Sequence, residues 1–170
     1  FKIKGRDAMI AALAVGLCVL IADQVASGFC KPFFERLRPS HDPELKDIIH
    51  IVNNYRSALY GFCSSHASNT FGIATLTFLL FRNKWYAALI YSWAVLNCYS
   101  RMYLGVHFPL DIICGALVGV AAGYISYYLY KYVVNKFIYF NADKGVITNK
   151  QVLCVFVVYL LTFVFMLIRN

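Results

Sequence analysis

Residues 107–134 read HFPLDIICGALVGVAAGYISYYLYKYVV, an apolar run that opens with a histidine and an aspartate. From residue 110 onward the run is long enough to cross a bilayer as a helix, which takes roughly 20 predominantly apolar residues. Counting by fours from His107 gives Asp111, Gly115, Gly119 and Gly123. Small residues at this spacing let membrane helices pack closely, so we expect the strip, with its His–Asp pair, to face the interior of a helical bundle.

The composition of the whole chain agrees with this expectation. Hydrophobic residues make up 61% of the 170, charged residues 14%, and the mean hydropathy is +0.62, whereas a soluble domain is nearer half apolar and a quarter charged. Five segments can span a bilayer, namely residues 8–29, 66–81, 85–99, 110–134 and 151–168. We therefore predict an all-α, polytopic transmembrane helical bundle, organised as a single domain over residues 1–170.

The net charge of +8 raises the question of a nucleic-acid partner. No stretch combines Arg and Lys with interleaved aromatic residues, and the positive charges are spread over the loops between apolar segments. This distribution is typical of membrane topology and of contact with anionic headgroups. The predicted partner is the lipid bilayer, not a nucleic acid.

Three polar clusters interrupt the apolar sequence. They are KPFFERLRP at residues 31–39, Ser64-Ser65-His66, and SRMYLGVHFPLD at residues 100–111. Charged groups near lipid are costly and usually functional. The first two clusters lie between segments one and two, and the third lies between segments three and four, so all three return to one membrane face. We predict that they form one site.

The distribution of cations predicts which way that site faces. Opposite the site lie nine cations: Lys2, Lys4, Arg6, Arg82, Lys84, Lys131, Lys136, Lys144 and Lys150. The site face carries seven: Lys31, Arg36, Arg38, Lys46, Arg56, Arg101 and Arg169. Cytoplasmic loops carry the excess of Lys and Arg, so the site is expected to face outward.

His107 and Asp111 are four residues apart, the spacing at which two side chains share a helix face. A carboxylate bonded to one imidazole nitrogen fixes the tautomer and leaves the other nitrogen free as a nucleophile. The alternative interpretation is a surface His–Asp pair that caps a helix.

Lys31, Arg38 and Arg101 supply positive charge from two clusters. An Arg fork matches the oxygens of a phosphate, and Lys acts as a point charge. The set therefore indicates phosphate binding, although any one of these residues alone would equally suit a headgroup at the interface. Arg36 lies in the same stretch and is free to point elsewhere.

Ser64 and Ser65 precede an apolar segment whose helix would present free N–H groups to an anion. Plain N-capping by serine is the alternative, and both can hold together. His66, in the first turn, is placed to protonate a leaving oxygen, or is a polar histidine at headgroup level. Asp23 lies about two turns before Lys31 and either pairs with a cation of the site or is an interfacial residue. Both interpretations stay open.

The three clusters resemble the motifs of a known family. Lys31 with Arg38-Pro39 is similar to K-x6-R-P, Ser64-Ser65-His66 to P-S-G-H, and Ser100-Arg101 with His107 and Asp111 to S-R-x5-H-x3-D. These motifs mark the type-2 phosphatidic acid phosphatase (PAP2) superfamily, which shares its site with vanadium haloperoxidases. Cys63 and Ser65 replace the Pro and Gly of the second motif, which leaves the geometry of that loop open. The resemblance covers about residues 8–130. It implies a PAP2/haloperoxidase-like core, and it leads us to expect further helices ahead of residue 1.

The resemblance also implies roles. His107 would form a phosphohistidine, Asp111 would orient it, and His66 would protonate the leaving group. The phosphate oxygens would be held by Lys31, Arg38, Arg101, Ser64 and Ser65. No metal or cofactor is expected, because cations and not a carboxylate cluster meet the phosphate. Zinc held by His66, His107 and Asp111 is the competing idea, and no H-E-x-x-H motif or cysteine pair with metal-ligand spacing supports it.

The predicted function is hydrolysis of a lipid-linked phosphate or diphosphate at the outer face of a bacterial inner membrane. Undecaprenyl diphosphate, phosphatidylglycerophosphate and lipid A are the candidate substrates. One alternative is a lipid phosphotransferase that uses a hydroxyl acceptor. Another is a non-catalytic protein that binds or transports lipid phosphates. Cys30 and Cys63 flank the first two motifs, and a disulfide between them is a further possibility in an oxidising compartment.

Overall fold

A computed structural model describes residues 5–49, 51–52 and 55–137 of the chain. Within these residues the structure is helical, with one isolated β-bridge between Leu37 and Tyr60 and no sheet. The helices are α1 (Gly5–Asp23), α2 (Lys31–Phe34), α3 (Ser65–Phe81), α4 (Lys84–Tyr103) and α5 (Pro109–Phe137). A π-helix (Gln24–Cys30) joins α1 to α2. The predicted all-α fold is confirmed, and the predicted segment at residues 151–168 lies outside the described residues.

Helix α3 is the centre of the bundle, and it packs against α1, α4 and α5. It begins at Ser64, whose Oγ accepts a hydrogen bond from the N–H of Ala67. It ends at Arg82, whose φ of 49° turns the chain sharply. Asn83 then caps α4 by accepting from the N–H groups of Trp85 and Tyr86. Because only Arg82 and Asn83 connect them, α3 and α4 form a helical hairpin with opposite directions.

The glycine strip of α5 faces α3, as the sequence predicts. A Cβ at Gly115 would overlap the carbonyl oxygen of Ser64, and one at Gly119 would overlap the carbonyl oxygen of Ser68. The two backbones can approach this closely only because neither glycine carries a side chain. The strip therefore presses the first turn of α5 against the first turn of α3, and this contact brings the second and third polar clusters together.

Within the described part of the chain, two stretches are long and apolar enough to cross a membrane: Ile10–Phe34 and Pro109–Lys136. Only 22% and 33% of their apolar windows is buried inside the bundle, whereas the core helix of a soluble protein is mostly buried. Large apolar side chains such as Leu13 on α1 and Leu117 on α5 point outward. The outer surface of the bundle is therefore suited to contact with lipid.

The helix boundaries differ from the predicted ones in ways that affect the site. Lys31 lies on α2, at the end of a nearly continuous helical rod, and Arg101 lies in the last turn of α4. His107 precedes α5, which starts at Pro109. Proline fits the first helical position because its missing N–H has no intrahelical partner there. His107 and Asp111 therefore do not share a helix face, although their side chains still meet.

Candidate active site

The three polar clusters converge at one end of the bundle, where α2 ends, α3 and α5 begin and α4 ends. Lys31 on α2 contacts Ser65 on α3, and Arg38 contacts His107 ahead of α5. Arg38, His107 and Asp111 are buried in a chain whose outer surface is apolar. The three clusters that the sequence predicts to share a site are thus in direct contact in the structure.

The imidazole of His107 has a defined proton arrangement. Its Nε2 lies 2.9 Å from Nη1 of Arg38. A guanidinium N–H can only donate, so Nε2 is unprotonated and its lone pair accepts this hydrogen bond. The neutral ring therefore holds its proton on Nδ1, which faces Asp111. This is the tautomer that a nucleophilic Nε2 requires.

Asp111 lies on the other side of the ring, and its side chain is fully buried. Its Oδ2 is 3.4 Å from His107 Nδ1, and Nδ1 makes no well-formed hydrogen bond with any described residue. Catalytic contacts of this length commonly tighten when substrate binds. Oδ2 also accepts from the N–H of Phe108 at 2.9 Å, which holds the carboxylate at the start of α5.

The pKa of His107 is lowered from its ordinary value, chiefly because the ring is buried. The hydrogen-bonding influence of Asp111 opposes this shift, and the positive charge of Arg38 adds to it. The net result favours the neutral imidazole, which is the nucleophilic form.

Arg38 is positioned by a short antiparallel pairing that the sequence analysis did not identify. Its N–H donates to the carbonyl of Leu59 at 3.1 Å, next to the Leu37–Tyr60 bridge. Gly61 completes this pairing, and a Cβ there would lie 3.0 Å from Arg38 Cγ and 3.3 Å from Asp111 Oδ2. Glycine at position 61 therefore allows the backbone to pass between two side chains of the site. No motif in the sequence marks this residue.

Lys31 ends a chain of polar contacts along the helical rod. Its Nζ donates to Ser65 Oγ at 2.6 Å and to Ser27 Oγ at 2.9 Å. Ser27 in turn donates to Asp23 Oδ1 at 3.1 Å. Of the two interpretations of Asp23, the structure favours the one that links it to a cation of the site, and the link runs through Ser27.

Ser100, which the motif includes without an evident task, orients Arg101. Its Oγ accepts from Arg101 Nε at 3.3 Å and donates to the carbonyl of Asn97 at 2.6 Å. The positive charges of Arg101, Arg38 and Lys31 all act on the exposed His66 in the first turn of α3.

Ser64 has a structural task as well as a predicted one. It is fully buried, caps α3 with its hydroxyl, and donates its N–H to the carbonyl of Asp111 at 3.0 Å. The capping interpretation is therefore correct. Contact of Ser64, Ser65 or His66 with a phosphate stays a prediction.

Arg36 turns toward the site. Its Nη1 donates to Asp111 Oδ1 at 3.1 Å, and its guanidinium carbon lies 4.4 Å from the centre of the Phe108 ring. The sequence analysis left the direction of this side chain open, because three cations occur within eight residues and the spacing alone does not separate their tasks.

The described residues contain no group of three or more His, Cys, Asp or Glu side chains arranged to hold a metal ion. Cys30 and Cys63 pack in one buried cluster, and both thiols are free. Burial, with a further contribution from Cys30, raises the pKa of the Cys63 thiol to about 12.

Comparison with known proteins agrees with this geometry. The family model of the PAP2 superfamily matches residues 8–135. A lipid A 4'-phosphatase of Porphyromonas gingivalis is 46% identical over 78% of this chain, and one of Bacteroides thetaiotaomicron is 40% identical over 73%. The matched part covers 56% of each of these two relatives. An undecaprenyl-diphosphatase of Sulfolobus acidocaldarius is 42% identical over 39% of this chain and covers 32% of that protein.

No solved structure matches the chain. The family match spans all three polar clusters and every helix that frames the site. With the residues of its three polar clusters gathered at one end of a helical bundle, the chain belongs to the PAP2 superfamily.

Proposed function

We propose that this chain forms the catalytic part of a membrane-bound lipid phosphatase that acts through a phosphohistidine. The supporting observation is the arrangement around His107. Arg38 directs an N–H at Nε2, and Asp111 lies beside Nδ1. The lone pair of the nucleophile and the cation that would hold the phosphate thus meet at one point, as an in-line attack on phosphorus requires.

The reaction would proceed in two steps. In the first, the Nε2 lone pair of His107 attacks phosphorus, the bond from phosphorus to the lipid oxygen breaks, and that oxygen takes a proton from His66. In the second, a water attacks phosphorus, gives a proton to His66, and the phosphorus–nitrogen bond breaks to release inorganic phosphate and free imidazole. Lys31, Arg38 and Arg101 would stabilise the charge on the equatorial oxygens in both steps.

The substrate we favour is lipid A bearing a phosphate at its 4' position. Two relatives that are 46% and 40% identical to this chain, over 78% and 73% of its length, are named for that activity. The site lies at the end of the bundle, where a headgroup can reach it from the membrane surface while acyl chains stay in lipid. Undecaprenyl diphosphate is the second candidate, because a relative named undecaprenyl-diphosphatase is 42% identical over 39% of this chain.

The site is proposed to face away from the cytoplasm. Of the seven cations on the site face, Lys31, Arg36, Arg38 and Arg101 have polar contacts within the site. These four are explained by the site, so they carry little topological information. Among the described residues, the end opposite the site carries five cations and the site end keeps two that make no contact in the site, which supports the outward orientation. The five are Arg6, Arg82, Lys84, Lys131 and Lys136, and the two are Lys46 and Arg56.

The test is phosphate release in EDTA by purified, detergent-solubilised protein, with wild type compared against His107→Ala. The panel contains lipid A, undecaprenyl diphosphate, phosphatidylglycerophosphate and phosphatidic acid. We expect release by wild type alone, fastest from lipid A, and a ³²P-labelled acid-labile adduct on wild type. A wild-type protein that binds lipid phosphate but releases none would contradict the proposal and indicate a binding or transport role.

Product analysis in the presence of added hydroxyl acceptors distinguishes the remaining alternative. Hydrolysis yields inorganic phosphate whatever acceptor is added. A phosphotransferase would yield a phosphorylated acceptor, with little free phosphate.

A further inference from the structure

We infer that Arg36 is a positioning residue for the catalytic pair His107–Asp111, an inference that rests on the proposed function. Arg36 lies two residues before Arg38, within the variable part of the first motif. It does not reach His107 through any contact in the structure. It acts on the carboxylate that supports the ring.

The contacts of Asp111 show how this works. Oδ2 accepts from the N–H of Phe108 and lies 3.4 Å from Nδ1 of His107, and Oδ1 accepts from Arg36 Nη1 at 3.1 Å. The carboxylate is therefore held from both ends, and rotation about its Cβ–Cγ bond would break the contact with Arg36. Oδ2 is the atom that faces the imidazole. The hydrogen bond from Arg36 to Oδ1 therefore fixes the direction in which Oδ2 points toward Nδ1 of His107.

The guanidinium is itself held in place. It lies over the ring of Phe108 with 4.4 Å between the guanidinium carbon and the ring centre. The carbonyl of Arg36 accepts from the N–H of Gly61 at 2.9 Å, so its backbone belongs to the pairing that positions Arg38. A planar cation can stack on an aromatic ring and donate at its edge at the same time, and a lysine ammonium cannot reproduce this geometry.

Burial makes the ion pair important to the state of Asp111. The Asp111 side chain is fully buried, and the Arg36 side chain is 37% exposed. A buried carboxylate is stable in its charged form only when it is paired and hydrogen-bonded. Arg36 thus pairs with the buried carboxylate of Asp111 from the solvent side, where its own side chain is partly exposed.

The position of Arg36 predicts a change that a purely structural residue would not cause. Five charged or titratable groups act on His107 and its carboxylate: Lys31, Arg36, Arg38, His66 and Asp111. Removing Arg36 takes away one cation and leaves the negative charge of Asp111 less neutralised. Protonation of His107 becomes easier, so the acid limb of the kcat/KM profile should move to higher pH.

The experiment compares Arg36→Met, Arg36→Lys and Phe108→Leu with wild type. For Arg36→Met we expect kcat to fall by about tenfold to a hundredfold, a typical loss for a misplaced catalytic group, with little change in KM and an acid limb at higher pH. Arg36→Lys should return the acid limb of the kcat/KM profile to its wild-type pH but should recover only part of the lost kcat. Phe108→Leu removes the ring beneath the guanidinium but keeps the charge of Arg36, so it should lower kcat without shifting the acid limb of the kcat/KM profile.

Lys46→Met is the matched control, because it removes one positive charge from the same loop, and it should leave both kcat and the limb unchanged. Wild-type kcat and an unshifted limb in Arg36→Met would overturn the inference. So would a rise in KM alone, which would assign Arg36 to substrate binding. If Arg36→Met fails to fold, Arg36→Lys decides, because a positioning role requires a loss of kcat at constant KM. Inactivity of wild type itself would contradict the proposed function and not this assignment.

Discussion

The ring of His107 lies between a cation at Nε2 and a carboxylate at Nδ1, and this arrangement has a measurable consequence. Burial is the main reason why the pKa of His107 is lowered, and Arg38 adds to the effect. The folded protein therefore keeps the imidazole neutral at pH values where a free histidine, with a pKa of about 6.5, begins to protonate. Below that value protonation of His107 opposes both nucleophilic attack and the folded state.

We accordingly expect the acid limb of kcat/KM to have a midpoint below about 6.5. The measurement is a pH–rate profile, with the titration of the substrate phosphate followed separately by ³¹P NMR. Asp111→Asn removes a group that raises the pKa of His107, so its limb should move lower still while kcat falls. A wild-type midpoint above that of free histidine, after correction for the substrate, would show that the ring is stabilised in its protonated form.

Also at the residue scale, the contacts Asp23–Ser27–Lys31 predict a role for a hydroxyl that touches no substrate. Ser27→Ala removes the acceptor of one Lys31 N–H and the donor to Asp23. Loss of a hydrogen bond to a charged group should lower kcat/KM by about tenfold, since Lys31 would be less well aligned.

Ser126→Ala is the control for this change, because it deletes a buried serine hydroxyl on α5 whose contacts lie outside the site. It should retain wild-type kcat/KM in the phosphate-release assay. Equal activity of Ser27→Ala and wild type would mean that Ser65 alone aligns Lys31.

At the scale of elements, the contact between α3 and α5 determines whether a site forms at all. Ser64, at the start of α3, bonds to the carbonyl of Asp111 in the first turn of α5. Gly119 lies two turns further along, where its backbone meets that of Ser68. A side chain at position 119 has no room, because the atom it would meet belongs to the backbone of α3 and cannot rotate away.

Gly119→Ala should therefore destabilise the bundle by about 1–3 kcal/mol and reduce activity through displacement of α5. Gly16→Ala is a matched control on α1, where a Cβ would meet nothing within 4 Å. It should be neutral or stabilise by up to about 1 kcal/mol, the difference in helix propensity. Thermal unfolding in detergent measures the stability change of both variants relative to wild type. A lower melting temperature for Gly16→Ala than for Gly119→Ala would contradict this account of the packing.

For the whole molecule, the open question is the direction in which the site faces. Lys46 is exposed in the loop between α2 and α3 at the site end, and Lys84 begins α4 at the other end. Cys63 is a poor probe, because it is buried and its thiol has a pKa of about 12. Cysteines substituted for Lys46 and Lys84 are better probes of the orientation, because both positions are exposed.

In intact bacterial cells, a membrane-impermeant maleimide should label Lys46→Cys and should reach Lys84→Cys only after permeabilisation. Wild type, measured alongside, gives the background from native thiols. The reverse pattern would place the site in the cytoplasm and exclude substrates presented at the outer leaflet.

The sequence by itself determined the fold class and the glycine strip, and it predicted the residues that we propose for catalysis. Hydropathy and residue spacing are local properties of the sequence, and neither depends on how the helices pack against one another. The boundaries near residues 31, 101 and 107 were predicted less well, because they depend on caps such as the Phe108–Asp111 contact and on the continuation of α1 through a π-helix.

Only the tertiary structure decided how the charged groups share their tasks. Arg36 binds a carboxylate 75 positions away, and Arg38 meets an imidazole 69 positions away. The motif singles out Arg38 but says nothing of the direction of Arg36, which is set only when Asp111 and the ring of Phe108 pack beside its guanidinium. The tautomer of His107 follows from the same packing, because a hydrogen bond depends on distance and direction between atoms that the chain brings together only on folding.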